Sequence, residues 1–344
     1  MKNFETWEDI RKNAREQTAP HCNACPACNG RACAGKAPGP GGKASGASFM
    51  RNYDYLHDHI KLVMRSLGAP FEPDTSVGLF GRTLSMPVMA APVGMLEFSY
   101  GVDISDPDYD RMLLTGLNDA GTIGFTGGGA MKMDYFYDAL DVIKEIGNGI
   151  PTIKPWALEF LEGEFRRMED ACPAAIAMDV DSAGLAHGAM FKYPMVRKTG
   201  EDLRRIAAMT DIPFIVKGVM TADEAEAAAD AGAYAIVVSN HGGRVIDESI
   251  STAEAMPEIV SAVGGRVKIF ADGGIRTGYD VFKMLALGAD AVLIGRPFIT
   301  AVIGGGAEGA RFYAEKLAGE LKDAMNMTGC AALGDISGRS IRIV

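Results

Sequence analysis

Eight short apolar runs, each followed by a turn and an amphipathic stretch, dominate the sequence from about residue 85 onward, and this alternation leaves few folds open. Most of the runs are too continuously apolar for half-exposed strands, so we expect parallel strands covered on both faces. Eight such units in about 250 residues predict an α/β protein, a (β/α)8 TIM barrel. The runs are 87–91, 122–125, 151–154, 175–180, 214–217, 235–239, 267–271 and 291–294.

The first apolar run is not followed by the glycine fingerprint of a dinucleotide-binding sheet, which disfavours a doubly wound fold. Residues 20–49 are rich in Cys, Gly and Pro and cannot form a long helix or strand. We therefore expect two parts: an N-terminal helix with a Cys/Gly-rich loop over 1–50, and the barrel over 51–344.

Charge and hydropathy exclude several classes of partner. The 344 residues carry a formal net charge of −10, which argues against nucleic acid as the main partner. The sequence lacks an apolar run of the roughly 18 residues that a membrane span needs. Its first twenty residues are polar and charged, unlike a secretory signal, so a cytoplasmic location is expected.

The segment Ser239–Asn240–His241–Gly242–Gly243–Arg244 directly follows an apolar run, and so stands at the mouth of the predicted barrel. It places an imidazole base three residues before a guanidinium that can bind an anion. Asp181 follows the fourth predicted strand, where its carboxylate could orient His241 and raise its basicity. These residue types indicate proton transfer on a small anionic substrate.

The loops after the last two predicted strands combine glycines with Arg276 and Arg296. Backbone N–H groups and guanidinium forks at this position in a barrel are typical of a phosphate site, although ion pairs at the barrel rim are the alternative. Lys217 ends the fifth predicted strand and, if buried, needs a partner. That partner could be an aspartate (Asp179, Asp181 or Asp272) or an anionic ligand.

Four segments together resemble the FMN-dependent α-hydroxy acid oxidases and dehydrogenases, the family of glycolate oxidase and lactate oxidase. They are 213–218, 239–244, 272–278 and 295–297, and the resemblance extends from about residue 75 to the C-terminus. It implies an FMN-dependent oxidoreductase that oxidises a 2-hydroxy acid, either lactate- or glycolate-like or bulkier. It also implies a homotetramer.

The resemblance further implies roles for individual residues. His241 would take a proton from the substrate while a hydride equivalent moves to flavin N5, Asp181 would hold the protonated His241, and Arg244 would pair with the substrate carboxylate. Lys217 would stabilise the reduced flavin. The residues implied to bind FMN are Ala90, Ala91, Pro92, Thr126, Lys154, Asp179, Lys217, Ser239, Asp272, Gly273, Gly274, Arg276, Gly295 and Arg296.

The residues expected to contact the substrate differ from the family pattern. Gly188 stands where the family has a second arginine, and Trp156 stands where it has a tyrosine. The residues expected to bind the small carboxylate substrate are Arg244, His241, Trp156 and His187. Two other functions stay open. The missing second arginine, with Lys154 where the family has a glutamine, motivates an FMN enzyme that catalyses isomerisation or oxidative deamination. The other is a non-catalytic redox sensor that binds flavin or metal.

Cys22, Cys25, Cys28 and Cys33 lie within twelve residues of a chain that has six cysteines. This cluster is not part of the oxidase pattern, and its spacing is close to that of ferredoxins. It predicts a metal site holding a [4Fe–4S] cluster or a zinc ion, with free thiols as the alternative. A cluster near the flavin would let electrons pass to an acceptor protein instead of O2.

Overall fold

The structure is a computed structural model and describes residues 4–37, 39–127, 133–185, 188, 191 and 193–344. Its strands are β1 Ile60–Leu62, β2 Val77–Leu79, β3 Arg82–Leu84, β4 Val88–Ala90, β5 Phe125–Thr126, β6 Ile150–Ile153, β7 Ile176–Asp179, β8 Phe214–Val219, β9 Ala235–Val238, β10 Lys268–Ala271, β11 Ala291–Ile294 and β12 Ile341–Ile343. Its α-helices are α1 Trp7–Thr18, α2 Ala47–Asp54, α3 Leu96–Tyr100, α4 Asp106–Asp119, α5 Met133–Ile146, α6 Leu161–Asp170, α7 Gly200–Ala207, α8 Ala222–Asp230, α9 Thr252–Val263, α10 Gly278–Ala286 and α11 Arg296–Thr328.

The strands β4 to β11 form one eight-stranded sheet in the order β4-β11-β10-β9-β8-β7-β6-β5, and all their pairings are parallel. A parallel bridge between Ala90 and Gly124 connects β4 to the residues before β5 and closes the ring. The predicted TIM barrel is therefore confirmed, and each of the eight apolar runs contributes one of its strands.

The second barrel strand begins later than the sequence predicts. The apolar run starts at Thr122, but β5 is Phe125–Thr126. The Thr122 N–H bonds to the Leu117 carbonyl at the end of α4, and its hydroxyl donates to the Val88 carbonyl. These two bonds place Thr122 in the turn that leads from the helix into the strand.

Side chains of successive strand residues alternate between two apolar layers, as the two-residue period of a strand requires. In β9, Ala235 and Val237 point into the barrel, where they pack among Phe125, Ile215 and Phe270. Ile236 and Val238 point outward and pack beneath the surrounding helices. Burial on both faces explains why these strands read as continuous apolar runs.

A hairpin that the sequence reading did not identify closes the bottom of the barrel. The strands β2 and β3 pair antiparallel, and Leu79 and Leu84 join the interior layer. The Phe80 N–H donates to the Tyr234 hydroxyl at 3.0 Å, which ties the hairpin to the entry of β9. Solvent is thereby kept from one end of the barrel, and the strand carboxyl ends form the open end.

Capping residues determine where the helices after the barrel strands begin, and so where the loops at the open end of the barrel finish. Thr199, Ser251 and Thr277 each form a capping box with an acidic residue three positions later. A capping box satisfies two backbone N–H groups of the first turn and stabilises that helix start. The loop after each corresponding strand therefore has a defined length.

The N-terminal residues pack on the barrel's last helix. The side chains of Asn13 and Gln17 on α1 donate to the carbonyls of Gly304 and Ile303. The backbone of α11 is non-helical at Gly306, which divides it into two helical parts. No described helix is both long enough and apolar enough to cross a bilayer.

Replacing Gly116 by alanine is expected to destabilise the protein by about 1–3 kcal/mol through overpacking. Gly116 is buried in α4, and a Cβ there would lie 2.2 Å from the Ala307 carbonyl oxygen of α11. Gly163 in α6 faces open space, so Gly163→Ala should stabilise by up to about 0.5–1 kcal/mol. Urea unfolding of both variants measures the contrast, and equal shifts would contradict this packing.

Candidate active site

The carboxyl ends of the barrel strands surround a cleft of about 1150 Å3 that is open to solvent. In a barrel of parallel strands, the loops that follow the strands surround one opening, and the active sites of TIM barrels lie there. The predicted site residues that line the cleft are Ala91, Pro92, Lys154, Asp179, Lys217, His241, Arg244, Asp272, Gly273, Gly274, Arg276, Gly295 and Arg296.

His241 and Asp181 form the hydrogen-bonded pair that the sequence predicts. His241 Nδ1 lies 2.9 Å from Asp181 Oδ1, so the carboxylate accepts the Nδ1 proton and Nε2 is the nitrogen able to take another. Burial alone would raise the pKa of Asp181, but the charges of Lys217 and His241 lower it below its usual value. Asp181 therefore stays ionised and can stabilise a protonated imidazole.

The backbone of the His241 loop holds that pair in place. His241, Gly242 and Gly243 all have left-handed φ angles, of 56°, 61° and 79°. The Asn240 side-chain oxygen accepts the Gly243 N–H at 3.0 Å and an amide N–H of Asn52 at 2.7 Å. The two glycines adopt this conformation without strain, which explains their place between the base and Arg244.

Lys217 is almost completely buried within β8, which continues two residues beyond the predicted run 214–217. Its ammonium donates to the Ser239 hydroxyl at 3.0 Å, and that hydroxyl donates to Asp272 at 2.8 Å. Burial by itself lowers the pKa of Lys217, but Asp181, Asp272 and Asp179 raise it above the usual value. Lys217 therefore stays positively charged. Of the three aspartates predicted as its partner, Asp272 forms the ion pair, with its Oδ2 3.7 Å from the ammonium.

Lys154 and Asp179 form a second buried ion pair beside it, with Lys154 Nζ 2.7 Å from Asp179 Oδ2. The ligand atoms of Asp179, Asp181 and His241 lie within 4.8 Å of one another, a spacing that a metal ion could use. Lys154 already neutralises one of these carboxylates, and Lys217 adds a second positive charge nearby. The electrostatics therefore favour a polar organic ligand over a cation.

Three arginines at the mouth donate to backbone carbonyls of the N-terminal segment. Arg276 Nε bonds to the Cys28 carbonyl at 2.8 Å, and Arg296 Nε bonds to the Pro40 carbonyl at 2.8 Å. Arg244 bonds to the Gly39 carbonyl. Within the described residues neither Arg276 nor Arg296 forms an ion pair, so the alternative of rim ion pairs is wrong.

These guanidinium groups repel one another. Burial, and after it the charge of Arg296, lowers the pKa of Arg244 to about 10. The Arg296 guanidinium also lies 3.8 Å above the ring of Phe49, a cation–π contact. A ligand with anionic groups would relieve this concentration of positive charge.

The polar atoms of the cleft fit FMN. Asp179 Oδ1 and Asp272 Oδ1, on two lining residues, are buried and have no hydrogen-bond partner in the described part of the chain. The same holds for Thr126 Oγ1, on the residue before the lining residue Gly127. Such atoms carry a free-energy cost unless a ligand or water bonds to them, and the polar edge of a flavin ring offers those bonds. The phosphate of FMN matches the arginines and the glycine loops at 273–274 and 295.

Some predicted residues do not line the cleft. Ala90, Thr126, Asp181 and Ser239 are not among the lining residues, although Asp181 bonds to the lining residue His241 and Ser239 bonds to the lining residue Lys217. Trp156 is fully buried, packs edge-on against Tyr193 with ring centroids 5.4 Å apart, and is not part of the lining. His187, expected to bind substrate, lies outside the described residues.

The sequence analysis did not identify the part of the cleft wall that comes from helices α2 and α3. Phe49 and Asn52 of α2 line the cleft, as does Tyr100 at the end of α3. Burial raises the pKa of Tyr100, so its phenol remains protonated at neutral pH. Phe49, an aromatic residue just after a glycine-rich segment, was the one sign of this wall in the sequence. Its distance along the chain from the strand-end motifs follows no known spacing, so it could not be assigned to the cleft.

The four clustered cysteines line a second cavity, of about 1110 Å3. It shares the side chains of Tyr100, Arg276 and Arg296 with the cleft, so these three residues separate the two spaces. The sequence gives no indication that the cysteine loop contacts the barrel mouth.

An eight-stranded barrel with a His–Asp pair, a buried lysine and an arginine-rich mouth defines an FMN-dependent oxidoreductase. Comparison with known proteins identifies its family. Residues 40–123 and 154–343 match the FMN-dependent dehydrogenase family, and the chain belongs to it. The predictions of the family, of FMN as cofactor and of an oxidoreductase are confirmed.

Relatives with established names are similar along most of their length. The 4-hydroxymandelate oxidase of Amycolatopsis orientalis is 32% identical over 86% of this chain and 89% of its own. The L-lactate oxidase of Lactobacillus jensenii is 32% identical over 85% of this chain and 77% of its own. A crystal structure of mandelate oxidase superposes with a TM-score of 0.80 at 28% identity, covering 99% of each chain.

Proposed function

We propose that the protein oxidises a 2-hydroxy acid to the 2-oxo acid with FMN as electron acceptor. The observation that carries this proposal is the His241–Asp181 pair, 2.9 Å apart, in a cleft that also contains Arg244. A base held by a buried carboxylate beside a guanidinium suits an alcohol that stands next to a carboxylate. The similarity to 4-hydroxymandelate, lactate and glycolate oxidases supports the same substrate class.

In this proposal Arg244 binds the substrate carboxylate and so places the adjacent C2 hydroxyl at His241. His241 Nε2 takes the hydroxyl proton, and Asp181 stabilises the imidazolium that results. Bound FMN supplies an acceptor for the two electrons and the proton that leave C2 as a hydride equivalent. Lys217, kept charged by Asp181 and Asp272, would offset the negative charge of a reduced flavin.

The cleft favours a substrate with an apolar substituent. Val93, Met95, Leu185 and Phe191 line it along with the charged groups. Gly188 adds no side-chain charge where the family has its second arginine. We therefore propose that 2-hydroxy acids with a bulky or aromatic side chain bind better than glycolate.

Anaerobic addition of L-2-hydroxy acids tests the proposed function. Bulky and aromatic acids are expected to bleach the visible absorbance of the bound flavin, and the 2-oxo acid should appear in equal amount. The matching D-acids and the amino-acid analogues serve as controls. Bleaching by amino acids alone would point to oxidative deamination, and turnover that needs prior flavin reduction would point to isomerisation.

We also propose that Cys22, Cys25, Cys28 and Cys33 hold a metal centre, with an iron–sulfur cluster and zinc as the predicted alternatives. Their common cavity supports this proposal. We further propose a cytoplasmic location, a homotetrameric state and an acceptor protein for the electrons. They rest on the sequence and on the family resemblance.

A further inference from the structure

The four clustered cysteines all contribute to the lining of one cavity. All four are half-buried free thiols. Metal binding displaces thiol protons, so the four cysteines would bind a metal centre as thiolates.

The spacing of the sulfur atoms disfavours a single zinc ion. Tetrahedral zinc with Zn–S bonds of about 2.3 Å brings its sulfur ligands to within about 3.8 Å of one another. Among the described residues, no three of the cysteine sulfurs and the neighbouring ligand atoms all lie within 4.8 Å of one another. An iron–sulfur cube places iron and sulfide atoms between its thiolates, which therefore stand farther apart.

The charge around the cavity suits an anion. Its lining includes Arg11, Arg276, Arg296 and Lys316, and the described lining residues include no carboxylate. Four thiolates on a four-iron cluster carry a net negative charge. Arg11 and Lys316 already pair with Glu8 and Glu320, so Arg276 and Arg296 are the cations that would offset this charge. The Ala24 N–H, 3.5 Å from the sulfur of Cys22, also supplies a backbone hydrogen bond of the kind that tunes cluster potentials.

We propose that Cys22, Cys25, Cys28 and Cys33 bind a [4Fe–4S] cluster that takes electrons, one at a time, from the flavin site. This proposal rests on the proposed function for its source of electrons. The position supports it, because Tyr100, Arg276 and Arg296 line both cavities, and the Cys28 carbonyl accepts a hydrogen bond from Arg276.

The electron balance requires a one-electron carrier protein as the final oxidant. Each substrate loses two electrons and two protons: one proton goes to His241, and the other accompanies both electrons to the flavin. The cluster accepts one electron and passes it to a carrier, then repeats this with the second. Two carriers are reduced for each 2-oxo acid formed, and both protons are released to solvent.

Metal analysis of anaerobically purified protein tests the cluster. We expect about four irons and four acid-labile sulfides per chain, with a low-temperature EPR signal after dithionite reduction. Cys25→Ser should lose most of the iron and the signal. Cys172→Ser, which alters an exposed cysteine outside the loop, should keep both. Zinc in place of iron, or no metal, would overturn the proposal.

The relay is tested with substrate instead of dithionite. Adding a 2-hydroxy acid without oxygen should produce the EPR signal of the reduced cluster in the wild-type protein. Ferricenium, a one-electron oxidant, should then be reduced much faster by wild type than by Cys25→Ser. A cluster that substrate never reduces would overturn the relay. Flavin bleaching is read separately, so its absence would instead count against the proposed function.

Discussion

Replacing His241 by asparagine is expected to slow flavin reduction by substrate about 100- to 10,000-fold while FMN remains bound. His241 Nε2 is the nitrogen available to take the substrate proton, because Nδ1 bonds to Asp181 at 2.9 Å. Asparagine is the suitable replacement, since it tolerates the left-handed φ of 56° at this position better than most residues. Anaerobic stopped-flow absorbance measures the rate, and the flavin spectrum reports cofactor content.

His59→Asn provides the matched control. His59 is exposed, and its Nδ1 bonds to the Val344 carbonyl at the opposite end of the sequence. This variant should reduce flavin at the wild-type rate. If His241→Asn also keeps the wild-type rate with FMN bound, the proton acceptor is another group.

Lys217→Met is expected to lower the free energy of unfolding by about 3–5 kcal/mol at neutral pH, because it leaves buried carboxylates without their counter-charge. Asp272 lies 3.7 Å from the ammonium, and Asp181 also depends on it. Urea unfolding of the FMN-free proteins measures the change, so that a difference in FMN affinity does not contribute. Lys268→Met is the matched control.

Lys268 stands on the barrel strand β10 and pairs with Asp290 at 2.7 Å, but this pair is exposed, so its loss should cost only about 0–1 kcal/mol. The two variants should also differ in pH dependence. Burial already raises the pKa of Asp272 in the wild-type protein, and removing Lys217 raises it further. The Lys217→Met protein should therefore recover stability as pH falls through that raised pKa toward the unfolded value of about 3.9. Equal losses for both variants would contradict the buried network.

The barrel could be predicted because burial on both faces leaves a strong local pattern. Val237 and Ile236 are adjacent and equally buried, one inside the barrel and one beneath helices, so the strand is apolar throughout. The bottom hairpin left no comparable pattern. Its strands have three residues each, and only Leu79 and Leu84 among them are buried.

The strand-end chemistry could be predicted for a similar reason, because topology brings the residues after each strand to one mouth. Asp181 and His241 stand 60 positions apart, yet their pairing follows from the barrel alone. The bonds from Arg244 and Arg296 to the carbonyls at 39–41 join segments more than 200 residues apart. Backbone carbonyls occur at every position, so no residue type marks such an acceptor in advance.

Those carbonyls have a consequence for any shortened form of the chain. Removing the residues before α2 would delete a cavity wall and also the acceptors that hold Arg244, Arg276 and Arg296 apart at the mouth. The three guanidinium groups would then face water and one another, and a high salt or phosphate concentration would be needed to screen them. The stability of a truncated barrel should thus depend on salt concentration. In the full chain, the dipoles of these backbone carbonyls stabilise the same guanidinium charges.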